Sequence, residues 1–183
     1  VKNTKYLMTK YISIDVESDG ALLGTNSMVC FGAVLVDLEG KLETDFYGQV
    51  APITGTYNKE ALSISGFTRK EHENFPSPAI TMQKFYDWLI DIKGEDKIVF
   101  ISDNNGYDFS WINWYLLMYS KENPFGWSSR RIGDMFCGYK HNLKYQWKKH
   151  RDLKRFPHNH NPLSDCKANA TAFLKLKDFG FKI

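Results

Sequence analysis

The stretch YISIDVESDG, residues 11–20, is the feature that most narrows the folds open to this chain. Apolar residues occupy every second position, namely Ile12, Ile14 and Val16. Because side chains alternate between the two faces of a strand, Asp15 and Glu17 share the other face, about 7 Å apart. The pattern predicts a strand with two carboxylates at its carboxyl end, where open α/β sheets form their binding crevices. A partner must neutralise those two charges.

Other apolar patterns predict four more strands. Residues 27–50 contain two of them, separated by a turn at Glu39 and Gly40, which together with the first strand form an antiparallel meander. The short apolar run at 96–103 is typical of a strand in the middle of a sheet, and residues 131–140 are predicted as a last short strand.

Helical periodicity is present at residues 58–66, 78–94 and 109–122. A final helix begins after Asn161, a good helix cap, with Pro162 at its first position. Strands and helices in this order favour an α/β fold, with a central mixed five-stranded sheet and helices on both faces.

The composition limits the size and environment of the protein. With 183 residues, 43% of them hydrophobic, we expect one domain over residues 10–183, preceded by an amino-terminal arm or leader at residues 1–9. The net charge of +3 means that attraction for a polyanion must come from local clusters. No apolar run approaches the roughly 20 residues that cross a bilayer, and an odd number of cysteines suits a reducing compartment. We therefore predict a soluble, cytoplasmic protein that does not bind membranes.

Two further acids lie where they could join the first pair. Asp108 follows the buried strand at 96–103 closely and lies at the start of a helix, and Asp165 lies in the first turn of the final helix. Each acid taken alone could be no more than a favourable partner for the helix dipole. The pattern of Asp15 and Glu17 is also weak when it is taken alone.

Three ordered motifs resemble those of a known family. IDVESDG (14–20) resembles the first motif of the DEDD 3′-to-5′ exonucleases, a superfamily that includes polymerase proofreading subunits, oligoribonuclease and ribonuclease T. NNGYDFSWIN (104–113) resembles the second motif, and HNPLSDCKANA (160–170) the third, whose His-x4-Asp spacing is typical of the histidine subclass, DEDDh. The resemblance covers most of Lys10–Leu176. The chain departs from the family in Ser-Asp-Gly after Glu17, where Thr-Thr-Gly is commoner, and in a basic segment before the third motif.

The resemblance implies a ribonuclease H-like fold and a metal-dependent 3′-to-5′ exonuclease. Its cofactors would be two divalent ions, Mg²⁺ or Mn²⁺, held by the four acids Asp15, Glu17, Asp108 and Asp165. These oxygen ligands suit such ions, and four converging negative charges would raise one another's pKa values until cations neutralised them. The family role of His160 is general base, and the products would be nucleoside 5′-monophosphates. The nearby His158 has the wrong spacing to Asp165, and His72, His141 and His150 are interpreted as exposed and idle.

The implied substrate is single-stranded RNA or DNA with a free 3′ end. Its terminal nucleotide would lie against Ser18, Gly20, Leu22 and Leu23, although core packing is an equal alternative for the two leucines. Asn104 belongs to the second motif and is included among the substrate-binding candidates. The basic segment contains six cations with three aromatic residues interleaved, a composition that suits a single-strand groove: Lys144, Lys148, Lys149, Arg151, Lys154 and Arg155 with Tyr145, Trp147 and Phe156. Lys148, Lys149 and Arg151 are its substrate-binding candidates. The alternative is a solvated surface whose aromatics pack into the core.

Two questions stay open at the level of sequence. A nucleic-acid-binding module of the same fold, without catalysis, is the alternative function, although all four acids and the histidine are present. The sequence does not indicate which residues would contact the 2′-hydroxyl, the group that distinguishes RNA from DNA. Related small exonucleases often pair, so a homodimer is also open.

Overall fold

The computed structural model describes residues 8–120 and 122–183. Its centre is a five-stranded sheet with the order β3-β2-β1-β4-β5. The strands are β1 (Thr9–Ser18), β2 (Met28–Leu35), β3 (Asp45–Gln49), β4 (Lys97–Ser102) and β5 (Ser129–Arg131). β2 runs antiparallel to both β1 and β3, whereas β4 runs parallel to β1 and β5. The sheet is mixed, as the sequence predicts.

The described residues form helices that pack on both faces of this sheet. They are α1 (Lys59–Ile64), α2 (Arg69–Glu73), α3 (Pro78–Lys93), α4 (Asn105–Tyr119), α5 (Ile132–Tyr139) and α6 (Pro162–Leu174). Short 3₁₀ turns lie at Trp147–His150 and Lys177–Phe179. Among the described residues, no helix is long and apolar enough to cross a membrane.

Strand alternation divides the core into two layers. Ile12 and Ile14 of β1 point to the layer that contains α3 and α4. The opposite face receives α5 and α6, which pack on β-strand residues such as Val34 and Ile101. Ser13 lies on this second face and donates a hydrogen bond to the Cys166 carbonyl at 2.8 Å. By alternation, Asp15 and Glu17 also face α6.

Gly32 lets the amino-terminal turn of α6 approach the sheet. It pairs with Asp15 across the β1–β2 ladder. A Cβ atom at this position would lie 2.4 Å from the backbone of Leu163. Real side chains do not tolerate such a separation, so only glycine permits this contact. The result is that the first turn of α6 lies directly over the acids of β1.

The fifth strand lies earlier in the chain than the sequence predicts. Residues 131–140 were expected to be a strand, but Ile132–Tyr139 is the helix α5, and β5 ends at Arg131. The physical reason is that Ile132 and Phe136, four residues apart, share the buried face of a helix. The helical spacing of the two buried residues therefore identifies the segment better than its short apolar run, which suggested a strand.

Other boundaries differ by a few residues. α4 begins at Asn105 instead of residue 109, which places Asp108 within its first turn. The helix was predicted to extend through residue 122, but its observed end is Tyr119, and residue 121 lies outside the described residues. The predicted amino-terminal arm also lies mostly outside them, although Thr9 already belongs to β1. All three cysteines are free thiols.

Candidate active site

The structure brings the four acids together at the carboxyl end of β1. Glu17, His160 and Asp165 each offer a potential ligand atom, and these atoms all lie within 4.8 Å of one another. Asp15 adjoins them, because Asp108, Asp165 and Glu17 all act on its carboxyl group electrostatically. Asp108 is 2% exposed and Asp165 is 4% exposed. Acids from one strand and two helices thus form a single cluster, which we call the acid cluster.

Burial and mutual repulsion make this cluster unfavourable in its fully ionised form. Burial raises the pKa of the Asp15 carboxyl well above its ordinary range, and the neighbouring acids raise it further, while Arg151 opposes them. Burial raises the pKa of Asp108 to about 7. It also raises the pKa of Glu17, against the opposing charge of His160. Such shifts mark a place where cations would be strongly stabilising.

The residues fit a divalent metal ion by their chemistry. Carboxylate oxygens are the ligands that Mg²⁺ and Mn²⁺ prefer. One oxygen of Asp108, Oδ2, is buried without a hydrogen-bond partner among the described residues. An acceptor left without a partner in the interior costs about 1–3 kcal/mol or more when it is charged, so it needs a cation or a proton. The acid cluster therefore has both the donor type and an unsatisfied atom that a metal would use.

Local capping fixes Asp165 within the first turn of α6. The Asn161 side chain accepts hydrogen bonds from the backbone N–H groups of Leu163 and Ser164, at 3.0 and 3.2 Å. Pro162 occupies the first helical position, where its missing N–H costs nothing. Ser164 Oγ donates to the Pro157 carbonyl at 2.7 Å, which ties the preceding loop to the helix.

Two histidines of this loop reach the acid cluster. His160 has a positive φ of 58°, and its Nδ1 lies 3.6 Å from Glu17 Oε1. His158 Nδ1 lies 2.8 Å from Asp165 Oδ1, and the two imidazole rings are 5.0 Å apart. The sequence interpretation set His158 aside because of its spacing. No spacing pattern in the sequence would have found it, because the contact of His158 with Asp165 depends on the conformation of the loop.

The loop after β1 presents exposed leucines beside the acid cluster. Ser18 Oγ donates to the Gly20 carbonyl at 2.5 Å and lies 2.5 Å from the Tyr107 hydroxyl. Leu22 is 66% exposed and Leu23 is 36% exposed, so core packing does not account for them. Burial, and then the nearby acids, raise the pKa of Tyr107 to about 12, so its hydroxyl stays protonated. Sequence reasoning missed Tyr107, although it directly precedes Asp108.

A buried acid, Asp19, ties the loop after β1 to the rest of the domain. Asp19, where the family more commonly has threonine, accepts a hydrogen bond from the Ser27 N–H at 2.6 Å and pairs with Arg69 of α2 at 3.1 Å. His72 Nδ1 lies 3.8 Å from the same carboxylate. His72 is fully buried, so its interpretation as an exposed, idle residue was wrong. Burial lowers the pKa of His72, which favours the neutral ring.

The basic segment contains one buried aromatic residue and cations that pair with an acid or lie over an aromatic ring. Trp147 is only 5% exposed and packs on Phe136, so for this residue the alternative of packing into the core holds. Lys148 and Arg151 both bind Asp103, at 2.6 and 2.8 Å. Lys149 lies over the Tyr145 ring, 4.8 Å from its centroid. Asn104, at the start of α4, is exposed, and its side chain makes no capping hydrogen bond.

This arrangement, four carboxylates and a histidine at the edge of a ribonuclease H-like sheet, defines the class of DEDDh nucleases. No protein-family model matches the chain. The chain is 31% identical over 133 residues to the 3′-5′ DNA exonuclease Cap18 of Escherichia coli. The match covers 72% of this chain and 70% of that protein. It therefore belongs to the DEDDh family of 3′-to-5′ exonucleases, which are phosphodiester hydrolases.

Solved structures agree in fold. Cell-death related nuclease 4 (CRN-4) superposes with a TM-score of 0.75 at 18% identity, covering 96% of this chain and 67% of that one. The nuclease domain of 3′hExo, a DEDDh family member bound to rAMP, gives a TM-score of 0.69 at 16% identity and covers 93% and 92% of the two chains. At this level of identity the likeness establishes the fold.

Proposed function

We propose that this protein is a divalent-metal-dependent exonuclease that removes nucleoside 5′-monophosphates one at a time from the 3′ end of single strands. The observation that carries the proposal is the convergence of the four acids with the His158–His160 loop in one crevice. A binding module would not need to concentrate buried carboxylates where a polyanion must approach.

The metal ligands in this proposal are Asp15, Glu17, Asp108 and Asp165. Two divalent ions, when bound, supply an activated water nucleophile and stabilise charge on the leaving oxygen of the phosphodiester. The acids neutralise the ions and fix their positions. Because the metal-free cluster repels phosphate, we expect strand binding to depend on the metal as well.

His160 is the proposed general base. Its side chain is half exposed, at the mouth of the acid cluster, and its Nδ1 faces Glu17. A neutral imidazole accepts a proton efficiently near pH 7, so the ring suits proton transfer from the attacking water. His158 holds Asp165 by its hydrogen bond, and we assign it a positioning role.

The terminal nucleotide is proposed to lie at the loop of residues 18–23. Ser18 and Gly20 line the floor of this loop, and the exposed Leu22 and Leu23 would wedge against the base. The Tyr107 hydroxyl, bonded to Ser18, borders the same space. The exposed Asn104 lies beside the acid cluster at the start of α4.

The remaining strand would follow the cations of the basic segment, Lys148, Lys149 and Arg151. Arg151 is the most buried of them: it forms an ion pair with Asp103, and its charge opposes the rise in the pKa of Asp15. We therefore assign Arg151 a role in positioning the acids of the crevice. Since the Escherichia coli relative at 31% identity is described as a DNA exonuclease, we propose single-stranded DNA as the preferred substrate.

The test uses end-labelled single-stranded DNA and RNA of the same sequence, incubated in parallel with Mn²⁺. We expect a ladder that shortens from the 3′ end, faster on DNA, and no ladder in excess chelator. Asp165→Asn should abolish the ladder, whereas the matched change Asp91→Asn, at an exposed acid of α3, should leave it intact. A shifted band without any ladder would establish the binding module instead, and faster RNA cleavage would overturn the DNA preference.

A further inference from the structure

A pocket lies between the start of α5 and residues 143–148, which lead into the 3₁₀ turn at Trp147–His150. Its volume is about 190 Å³. Its wall includes three cations and three apolar or aromatic residues: Arg131, Lys144, Lys148, Leu143, Tyr145 and Trp147. We call it the basic pocket. No carboxylate is among its lining residues in the described part of the chain.

One acid fixes several of these cations without neutralising them. Asp103 Oδ2 accepts from Lys148 at 2.6 Å and from Arg151 at 2.8 Å. The Asp103 carbonyl accepts from Arg131 Nε at 3.0 Å. Asp134 supplies a second charge, paired with Arg131 at 2.9 Å. Asp103 and Asp134 thus pair with three cations, of which Arg131 and Lys148 line the pocket. Lys144 adds a further positive charge to the pocket wall, so the region keeps a positive excess that would attract a phosphate.

The basic pocket begins at the end of β5, at the same edge of the sheet as the acid cluster, because β4 runs parallel to both β1 and β5. Asp103 directly follows β4, and its charge raises the pKa of Asp108. In the sheet order, β1 lies between β2 and β4, with β5 beyond β4. The loop of residues 18–23 follows β1, whereas the basic pocket begins at the end of β5, two strands away in the sheet. A strand whose 3′ end reaches this loop can pass over the acids towards β5.

The wall also offers an apolar surface. Leu143 is 92% exposed, a large apolar side chain that would otherwise face only water. Tyr145 is held in place by a 2.9 Å hydrogen bond between its hydroxyl and His150. Cations beside fixed apolar groups are the combination that single-strand-binding surfaces use, phosphate on the former and base or sugar on the latter.

From this geometry we infer that the basic pocket is a binding subsite for a nucleotide upstream of the scissile phosphate. Arg131, Lys144 and Lys148 would contact its phosphate, and Leu143 its base or sugar. The inference rests on the proposed function, since the occupant is part of the same substrate strand. It predicts that the enzyme gains efficiency from substrate length.

The experiment measures kcat/KM on single strands that range from dinucleotides to about eight nucleotides, so that the longest lie within the site sizes of single-strand-binding folds and the shortest lie below them. The variant is Lys144→Gln with Lys148→Gln. Its matched control, Lys84→Gln with Lys175→Gln, removes the same charge at exposed positions outside both the pocket and the basic segment. The KCl concentration is varied between about 50 and 200 mM, where phosphate contacts have a measurable effect.

We expect kcat/KM of the wild type to rise with length, and the ratio of long to short substrates to fall about threefold for each cation removed, as for exposed ion pairs. The salt slope should flatten by about 0.7 for each lost phosphate contact. The control should keep both values. If the wild type cleaves all lengths with one kcat/KM, or if the variant keeps its length ratio and slope, the subsite is refuted while the nuclease assignment stands. If no length is cleaved, the proposed function itself has failed.

Discussion

Replacing Asp108 with asparagine should stabilise the metal-free protein at high pH. Asp108 is buried, and its pKa is raised from an ordinary 3.8 to about 7. The folded state therefore binds more protons than the unfolded state between these two values. The protonated Asp108 carboxyl therefore contributes stability that is fully present below pH 3.8 and is lost as the pH rises through 7.

The size of this effect follows from the pKa shift. Three pH units at about 1.36 kcal/mol each give a loss on the order of 4 kcal/mol at pH 9. This is an upper limit, because the neighbouring acids share protons with Asp108. Asparagine has nearly the shape of the protonated acid and cannot ionise. Asp108→Asn should therefore be more stable than the wild type at pH 9 by up to that amount, and no more stable at pH 4.

The assay is urea denaturation at pH 4, 7 and 9, with EDTA and then with Mn²⁺. In EDTA the difference in unfolding free energy between variant and wild type should grow with pH. Mn²⁺ should reverse it, because the wild type gains binding free energy that the variant lacks. Asp91→Asn, at an exposed acid of α3, is the control. If the variant were less stable than the wild type at pH 9 in EDTA, repulsion within the acid cluster would not be the dominant effect.

Three further predictions concern the loop and the helix that complete the site. His160→Ala should lower kcat by about two to four orders of magnitude, the usual worth of general base catalysis, with Mn²⁺ affinity in calorimetry nearly unchanged; an unaltered kcat would move the base elsewhere. His158→Leu should instead weaken Mn²⁺ binding by about 10–100-fold, since Asp165 loses its hydrogen bond, while kcat at saturating metal largely recovers; equal affinity would contradict the positioning role. Gly32→Ala should cost roughly 1–3 kcal/mol of stability by overpacking, seen as a lower melting temperature. Gly138→Ala, where a Cβ meets nothing within 4 Å, is its control.

Much of the fold follows from short-range patterns. The alternation of Ile12, Ile14 and Val16 specifies the faces of β1, since a strand has a period of two residues. The Asn161 cap and Pro162 specify where α6 begins, because they satisfy or remove N–H groups that a helix leaves unpaired. The prediction for residues 131–140 was wrong because a short apolar run is compatible with both a strand and a helix. The burial of Phe136 on the same face as Ile132 favours the helix.

The partners of each side chain needed the tertiary structure. The burial of the Trp147 and His72 side chains depends on neighbours that are distant in the chain. So does the contact of His158 with Asp165, since a loop conformation follows from the surfaces to which it is tied. Spacing along the chain could not distinguish these histidines from idle ones.

The sequence alone determined which acids are available and on which face or turn each one lies, since those properties depend on backbone periodicity and capping over a few residues. Only the tertiary structure decided that Asp15, Glu17, Asp108 and Asp165 occupy one crevice. The physical reason is that their approach requires two helices to dock on the sheet, one of them through the space left open by Gly32. Close packing between distant segments sets such distances, and no local pattern encodes them.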